Sequence, residues 1–112
     1  MTIFERIAAG EIPANIVHQD SEVLAFHDIN PQAPVHILVV PKRLISCVGE
    51  AQDTDEAVLG KLLLAARDIA KSQGLDRSGY RLVINNGPDA GEAVPHLHVH
   101  LLGGRPLDWP PG

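Results

Sequence analysis

The chain has 112 residues, 45% apolar and 21% charged with 10 Gly and 9 Pro, which excludes disordered and fibrous classes and fits a single domain over residues 1–112. Nine basic residues against fourteen acidic ones leave a formal charge of -5, which repels polyanions, so no nucleic-acid partner is expected. Cys47 is the lone cysteine, and the longest apolar runs, Leu62 to Ala66 and Ile37 to Pro41, fall far short of the roughly 20 residues that cross a bilayer, so neither a disulfide nor a membrane partner is expected.

Residues Met1 to Ile12 lack the basic start and long apolar stretch of a secretory signal, and a cytoplasmic location is expected. Thr2 followed by Glu5 predicts a capping box opening a short helix that ends near Gly10, with Ile3, Phe4 and Ile7 on one face. The runs Ile16 to Asp20 and Val23 to Asp28, separated only by Ser21 and Glu22, predict a tight hairpin. Val35 to Val40 reads as the central strand, because its apolar run suits burial on both faces and Pro41 stops it.

Asp53 with Glu56 predicts a second capping box and a long helix reaching Gly74. Its stripe of Val58, Leu62, Ala65 and Ile69 is widened by Leu59, Leu63, Ala66 and Ala70, more than one sheet face needs, and could support self-association. Tyr80 to Asn85 and Pro95 to Leu102 read as the last strands, with a Gly/Pro/Asp loop from Asn86 to Val94 between them. This order predicts an α+β domain with an antiparallel sheet.

His96-Leu97-His98-Val99-His100 alternates with period two, so a strand there projects three imidazoles from one face and sends Leu97, Val99 and Leu101 into the core. A solvated strand face is the bland alternative. Two chemistries fit the row: three ligands of an open zinc site, or a phosphate site in which a neutral imidazole attacks and a protonated one donates. The loop Asn85 to Glu92 leads into a strand, so it is neither a Walker loop nor a dinucleotide fingerprint, though Gly91 could bring backbone N–H groups to a phosphate. His36, in an otherwise apolar strand, either bonds a neighbour or serves the site. Asp28 alone reads as a turn residue, His18 and His27 as surface residues, and Cys47 as a small buried hydrophobe.

His96-x-His98-x-His100 followed by two apolar residues resembles the signature of the histidine triad (HIT) family, and the chain is similar from end to end to its nucleotide-binding, phosphoramidase-like branch. The blocks Thr2-Ile3-Phe4, Glu11-Ile12-Pro13, Ala25-Phe26-His27-Asp28-Ile29, Pro31-Gln32-Ala33-Pro34, His36, Val40-Pro41-Lys42, Gly103-Gly104-Arg105 and Trp109-Pro110-Pro111-Gly112 carry the likeness. The resemblance implies a HIT-like antiparallel sheet with one long and one short helix, extended across a homodimer. It implies hydrolysis of a purine nucleoside phosphoramidate, AMP-like in its nucleotide, through a nucleotidyl-histidine formed on His98.

On the same ground His96 and His100 orient the nucleophile and His36 assists proton transfer, with no metal and no cofactor implied. Asp28 would hold the ribose hydroxyls with Ile29 beside it, Asn85 would lie near the phosphate, and Gly91, Glu92 and Ala93 would form the phosphate loop. Ile3, Phe4, Ile7, Phe26 and Leu38 would form the base pocket, and the Trp109 tail would reach toward the partner subunit's site. Glu92 and Ala93 stand where this branch often has Gln and Ser, and Leu44 replaces a histidine common after the Pro-Lys block. His100, where the transferase branch has Gln, favours hydrolysis. The alternatives are a dinucleoside polyphosphate hydrolase, a non-catalytic nucleotide-binding dimer and a zinc-binding protein.

Overall fold

In the computed structural model, which describes residues 1–112, the chain opens with helix α1, Ile3–Ala8. The expected capping box forms: Thr2 Oγ1 accepts the Glu5 N–H at 3.2 Å, and Glu5 Oε1 accepts the Thr2 N–H at 2.8 Å. Strands β1 (Ile16–Gln19) and β2 (Val23–His27) then form the expected hairpin, its turn closed by Asp20 Oδ1, which accepts the N–H groups of Glu22 and Val23. Strands β3 (Val35–Pro41), β4 (Tyr80–Val83) and β5 (Val99–Gly103) complete an antiparallel sheet of order β1-β2-β3-β5-β4, with β3 in the middle.

The last strand is shorter than its alternating pattern suggests. The β3–β5 ladder ends at the Val39–Val99 pair, and two residues further along β3 stands Pro41, which has no N–H to extend it. Leu97 instead donates its N–H to Ile45 O, so His96 and His98 lie in an irregular segment ahead of β5. The start of the long helix also differs from expectation. Asp55 Oδ2 accepts the Gln52 N–H at 2.8 Å and Arg43 ion-pairs with the same carboxylate, so the box forms on Gln52 and Asp55 around a single 3-10 turn, and helix α2 runs Glu56–Ser72. Gly74, at φ +76°, ends it as the sequence suggests.

Period-two alternation splits the sheet into two buried faces. On one, Leu62, Ala66, Ile69 and Ala70 of α2 pack on Val23, Ala25, Ile37, Val39, Val99 and Leu101. On the other, Phe4 and Ile7 of α1 cover Leu24, Phe26, Leu38 and Val40. Complete burial of each large apolar side chain contributes about 1.5–3 kcal/mol, so six residues of α1 hold their place by two side chains and a cap. Leu63 of the widened stripe stays about half exposed, as does its neighbour Leu64. No helix is long and apolar enough to cross a membrane.

Candidate active site

His100 lies on β5 opposite Leu38 and Val83, on the α1 face of the sheet. Its ring stands 5.0 Å from that of His98, and Phe4 of α1 sits 5.1 Å from His98 and 5.6 Å from His96. The three imidazoles therefore follow one another but do not form the flat strand row expected from the alternation. His96 turns inward and is 1% exposed.

Hydrogen-bond partners fix the tautomers. His96 Nε2 is 2.8 Å from Pro41 O and its Nδ1 is 2.8 Å from Thr2 Oγ1. A carbonyl oxygen only accepts, so Nε2 carries the proton and Nδ1 accepts from the hydroxyl. His96 has both nitrogens engaged and acts as an anchor. His98 Nδ1 lies 2.7 Å from His96 O and must donate to it, which leaves the Nε2 lone pair of the neutral ring free. Every fully buried side-chain nitrogen and oxygen has a partner, and His98 Nε2 has none within the chain, so that atom is reached by solvent.

A second set joins β2, β3 and β5. Asp28 donates its N–H to His36 O where the β2–β3 ladder ends, and the turn from Asn30 to Pro34 places the Gln32 N–H 3.0 Å from His36 Nδ1. That donor makes Nδ1 an acceptor, so neutral His36 carries its proton on Nε2. His36 Nε2 faces two acceptors, His100 Nδ1 at 2.9 Å and Asp28 Oδ2 at 3.4 Å. His100 then keeps its own proton on Nε2. Burial holds His36 and His96 below the ordinary histidine range, opposed by the Asp28 charge at His36 and by the Pro41 carbonyl at His96. His100 is pushed down to about 4, first by burial and then by the neighbouring His98 and His36, so all three rings are neutral at pH 7.

Asp28, His36 and His100 bring three donor atoms within 4.8 Å of one another, as a metal site would. The chemistry of the set does not suit one: to ligate, His36 Nε2 must release its proton while the Gln32 N–H still occupies Nδ1. The zinc arrangement on His96, His98 and His100 fails similarly, because His96 has no free nitrogen.

Asp28, His98 and His100 border a cleft of about 320 Å³ on the α1 side of the sheet. Ile3, Phe4, Ile7, Phe26 and Leu38 line its walls, and Asp28, Ile29, Ala93, His98 and His100 its polar end and rim. His36 and His96 are buried behind it, while Asn85, Gly91 and Glu92 do not line it. The glycine loop folds on itself: Gly91 donates its N–H to Pro88 O, and Ala90 and Glu92 donate to Gly87 O, leaving Ala93 as the member of Gly91 to Ala93 that reaches the cleft. Asn86, next to the expected Asn85, anchors this loop by accepting the Gly49 N–H at 2.6 Å.

Sequence reasoning missed Ile12, Pro13 and Ala14, which line the cleft from a segment with no periodicity to read. It also placed His27 at the surface, although this half-buried residue is a cleft wall. Beyond β5, Arg81 holds the tail by donating to Asp108 O at 2.9 Å and stands 6.0 Å from the Trp109 ring, which is 81% exposed.

Comparison with known proteins agrees with this architecture. The HIT domain model matches residues 9–107. A HIT-like protein of Synechococcus elongatus is 57% identical over 111 residues, covering 99% of this chain and 96% of the relative. Among solved structures, a HIT family hydrolase from Legionella pneumophila superposes with a TM-score of 0.98 at 46% identity and full coverage of both chains. A histidine triad protein from Clostridium difficile gives 0.92 at 43% identity, covering 95% of this chain and 92% of that one. A histidine triad nucleotide-binding protein from Candida albicans gives 0.84 at 30% identity, covering 98% and 83%. With nearly the whole chain matched in sequence and in fold, this protein belongs to the HIT domain family.

Proposed function

We propose that the protein is a nucleotide-binding hydrolase that cleaves purine nucleoside phosphoramidates through a nucleotidyl intermediate on His98. The observation that carries this reading is the His98 tautomer: with Nδ1–H bound to the His96 carbonyl, the lone pair of the neutral ring lies on Nε2, which solvent reaches at the cleft. Nε2 attacks the α-phosphorus, the P–N bond breaks, and the amine leaves with a proton drawn from water. Water then attacks the same phosphorus, the P–Nε2 bond breaks, and nucleotide is released. His100 Nε2–H offers a donor to the phosphoryl oxygens, and His96 fixes the carbonyl that orients His98.

The apolar walls, ten hydrophobic residues of fifteen, suit a purine ring held by contact rather than by hydrogen bonds. Asp28 is suited to two ribose hydroxyls, with Ile29, 99% exposed, over the rim. Neither Lys nor Arg lines the cleft, which favours a single phosphate over a polyphosphate chain as substrate. Ala93 already stands at the cleft, whereas Asn85, Gly91 and Glu92 would approach the phosphate only with substrate present.

The protein acts as a homodimer in this reading. Strand β4 is a sheet edge paired only with β5 and carries the exposed Tyr80. Lys61, Leu64 and Asp68 of α2 face β1, so the exposed Leu63 lies on the opposite flank, toward β4. The test is release of amine from an adenosine phosphoramidate with chelator present. Wild type turns over, and His98→Ala binds AMP without turnover; a His98→Ala enzyme with wild-type rate removes His98 from the chemistry.

A further inference from the structure

Asp28 is placed to do more than hold a sugar. Its two oxygens differ: Oδ1 accepts the Asn30 N–H at 2.8 Å, whereas Oδ2 lies 3.4 Å from His36 Nε2. His36 has one proton on that nitrogen and two acceptors for it, Asp28 Oδ2 and His100 Nδ1 at 2.9 Å. The carboxylate is a fifth exposed and lines the cleft, while the His36 side chain behind it is 4% exposed and can turn to no other partner. A hydroxyl that donates to Oδ2 therefore screens that charge from His36.

We propose that Asp28 is a positioning residue that couples ribose recognition to the His36–His100 pair, so that the substrate's hydroxyls raise the rate of the chemical step as well as affinity. The inference rests on the nucleotide reading of the cleft. With the cleft empty, His36 Nε2–H donates to His100 Nδ1 at 2.9 Å while the Asp28 charge, 3.4 Å from the same nitrogen, draws on that proton and weakens the bond. When ribose hydroxyls donate to Oδ2, that pull weakens and the His36 N–H points wholly at His100 Nδ1. His100, already the tautomer with its donor on Nε2, is then held more firmly beside the attacking ring of His98 5.0 Å away. No covalent bond is made or broken in this coupling; the existing His36–His100 hydrogen bond is strengthened.

The test compares adenosine phosphoramidate with its 2′,3′-dideoxy analogue in single-turnover rates at saturating enzyme. In wild type the dideoxy substrate raises KM and lowers the saturating rate by about tenfold, the effect of one well-formed hydrogen bond. In Asp28→Asn the amide offers no charge to compete for the His36 proton, and the ratio of the two saturating rates falls toward one. A merely structural role for Asp28 would slow both substrates alike and preserve the ratio. Equal saturating rates for the two substrates in wild type overturn the coupling while leaving the hydrolase reading intact, and this comparison stands even if Asp28→Asn does not fold. No amine release from the adenosine substrate overturns the hydrolase reading and the coupling with it.

Discussion

Replacing Thr2 by Ala removes one hydroxyl that serves two distant parts of the chain. Thr2 Oγ1 accepts the Glu5 N–H at the start of α1 and donates to His96 Nδ1, 94 residues away, at 2.8 Å. Loss of the cap costs about 1 kcal/mol. His96 is 1% exposed with Nε2–H on Pro41 O, so its Nδ1 is left a buried acceptor without a donor, which costs about 1–3 kcal/mol more. The expected loss is about 2–4 kcal/mol, enough to lower the midpoint of thermal unfolding by about 10 °C or more in a chain of this size. Thr2→Ser keeps the hydroxyl and should stay within about 1 kcal/mol of wild type. Urea unfolding followed by far-ultraviolet circular dichroism measures both variants. A Thr2→Ala protein as stable as Thr2→Ser refutes the claim that this hydroxyl satisfies His96.

His100→Gln should flatten the acid limb of stability. The folded state holds His100 at about 4 against an ordinary 6.5, so the unfolded chain binds the proton first and stability falls as pH drops from 6.5 toward 4. The substitution removes about 2–3 kcal/mol of the loss between pH 7 and pH 4.5, read by urea unfolding at the two values; an unchanged pH dependence contradicts the burial account. Gly104→Ala should cost about 1–3 kcal/mol, because φ is +93° and a Cβ would stand 2.8 Å from Pro34 Cβ; a neutral result in the same assay means that the turn relaxes freely. Leu63→Glu should convert a dimer to monomer in light scattering, and a monomeric wild type would remove the proposed interface.

Most of the architecture was legible in local signals. The Thr2–Glu5 box, the two-residue hairpin at Ser21 and Glu22, the apolar β3 bounded by Pro41 and the Gly74 stop each depend on neighbours in sequence, and each formed. The departures come from distant partners. Asp53 and Glu56 have capping-box spacing, but Arg43, remote in the chain, ion-pairs with Asp55 and favours the box on Gln52 and Asp55. The alternation from His96 to His100 suggested one flat row, yet Pro41 on the neighbouring strand ends the ladder and lets His96 turn into the core. The same long-range placement explains the cleft. The resemblance to the HIT family points to the wall residues Ile3, Phe4, Ile7, Phe26 and Leu38, whereas Ile12 to Ala14 carry no pattern and join the wall only through the folded chain. Gly91 suggests open N–H groups, but the loop turns those of Ala90, Gly91 and Glu92 back onto its own carbonyls.

The central claim is that His98 Nε2 forms a bond to phosphorus, and acid-free quenching within one turnover, followed by peptide mapping of the wild-type enzyme with adenosine phosphoramidate, tests it most directly. The account predicts one adenylyl group on His98, absent from His98→Ala and lost on further incubation as AMP appears. Amine release at full rate with no adenylyl group on His98, or with the group on another residue, would contradict it.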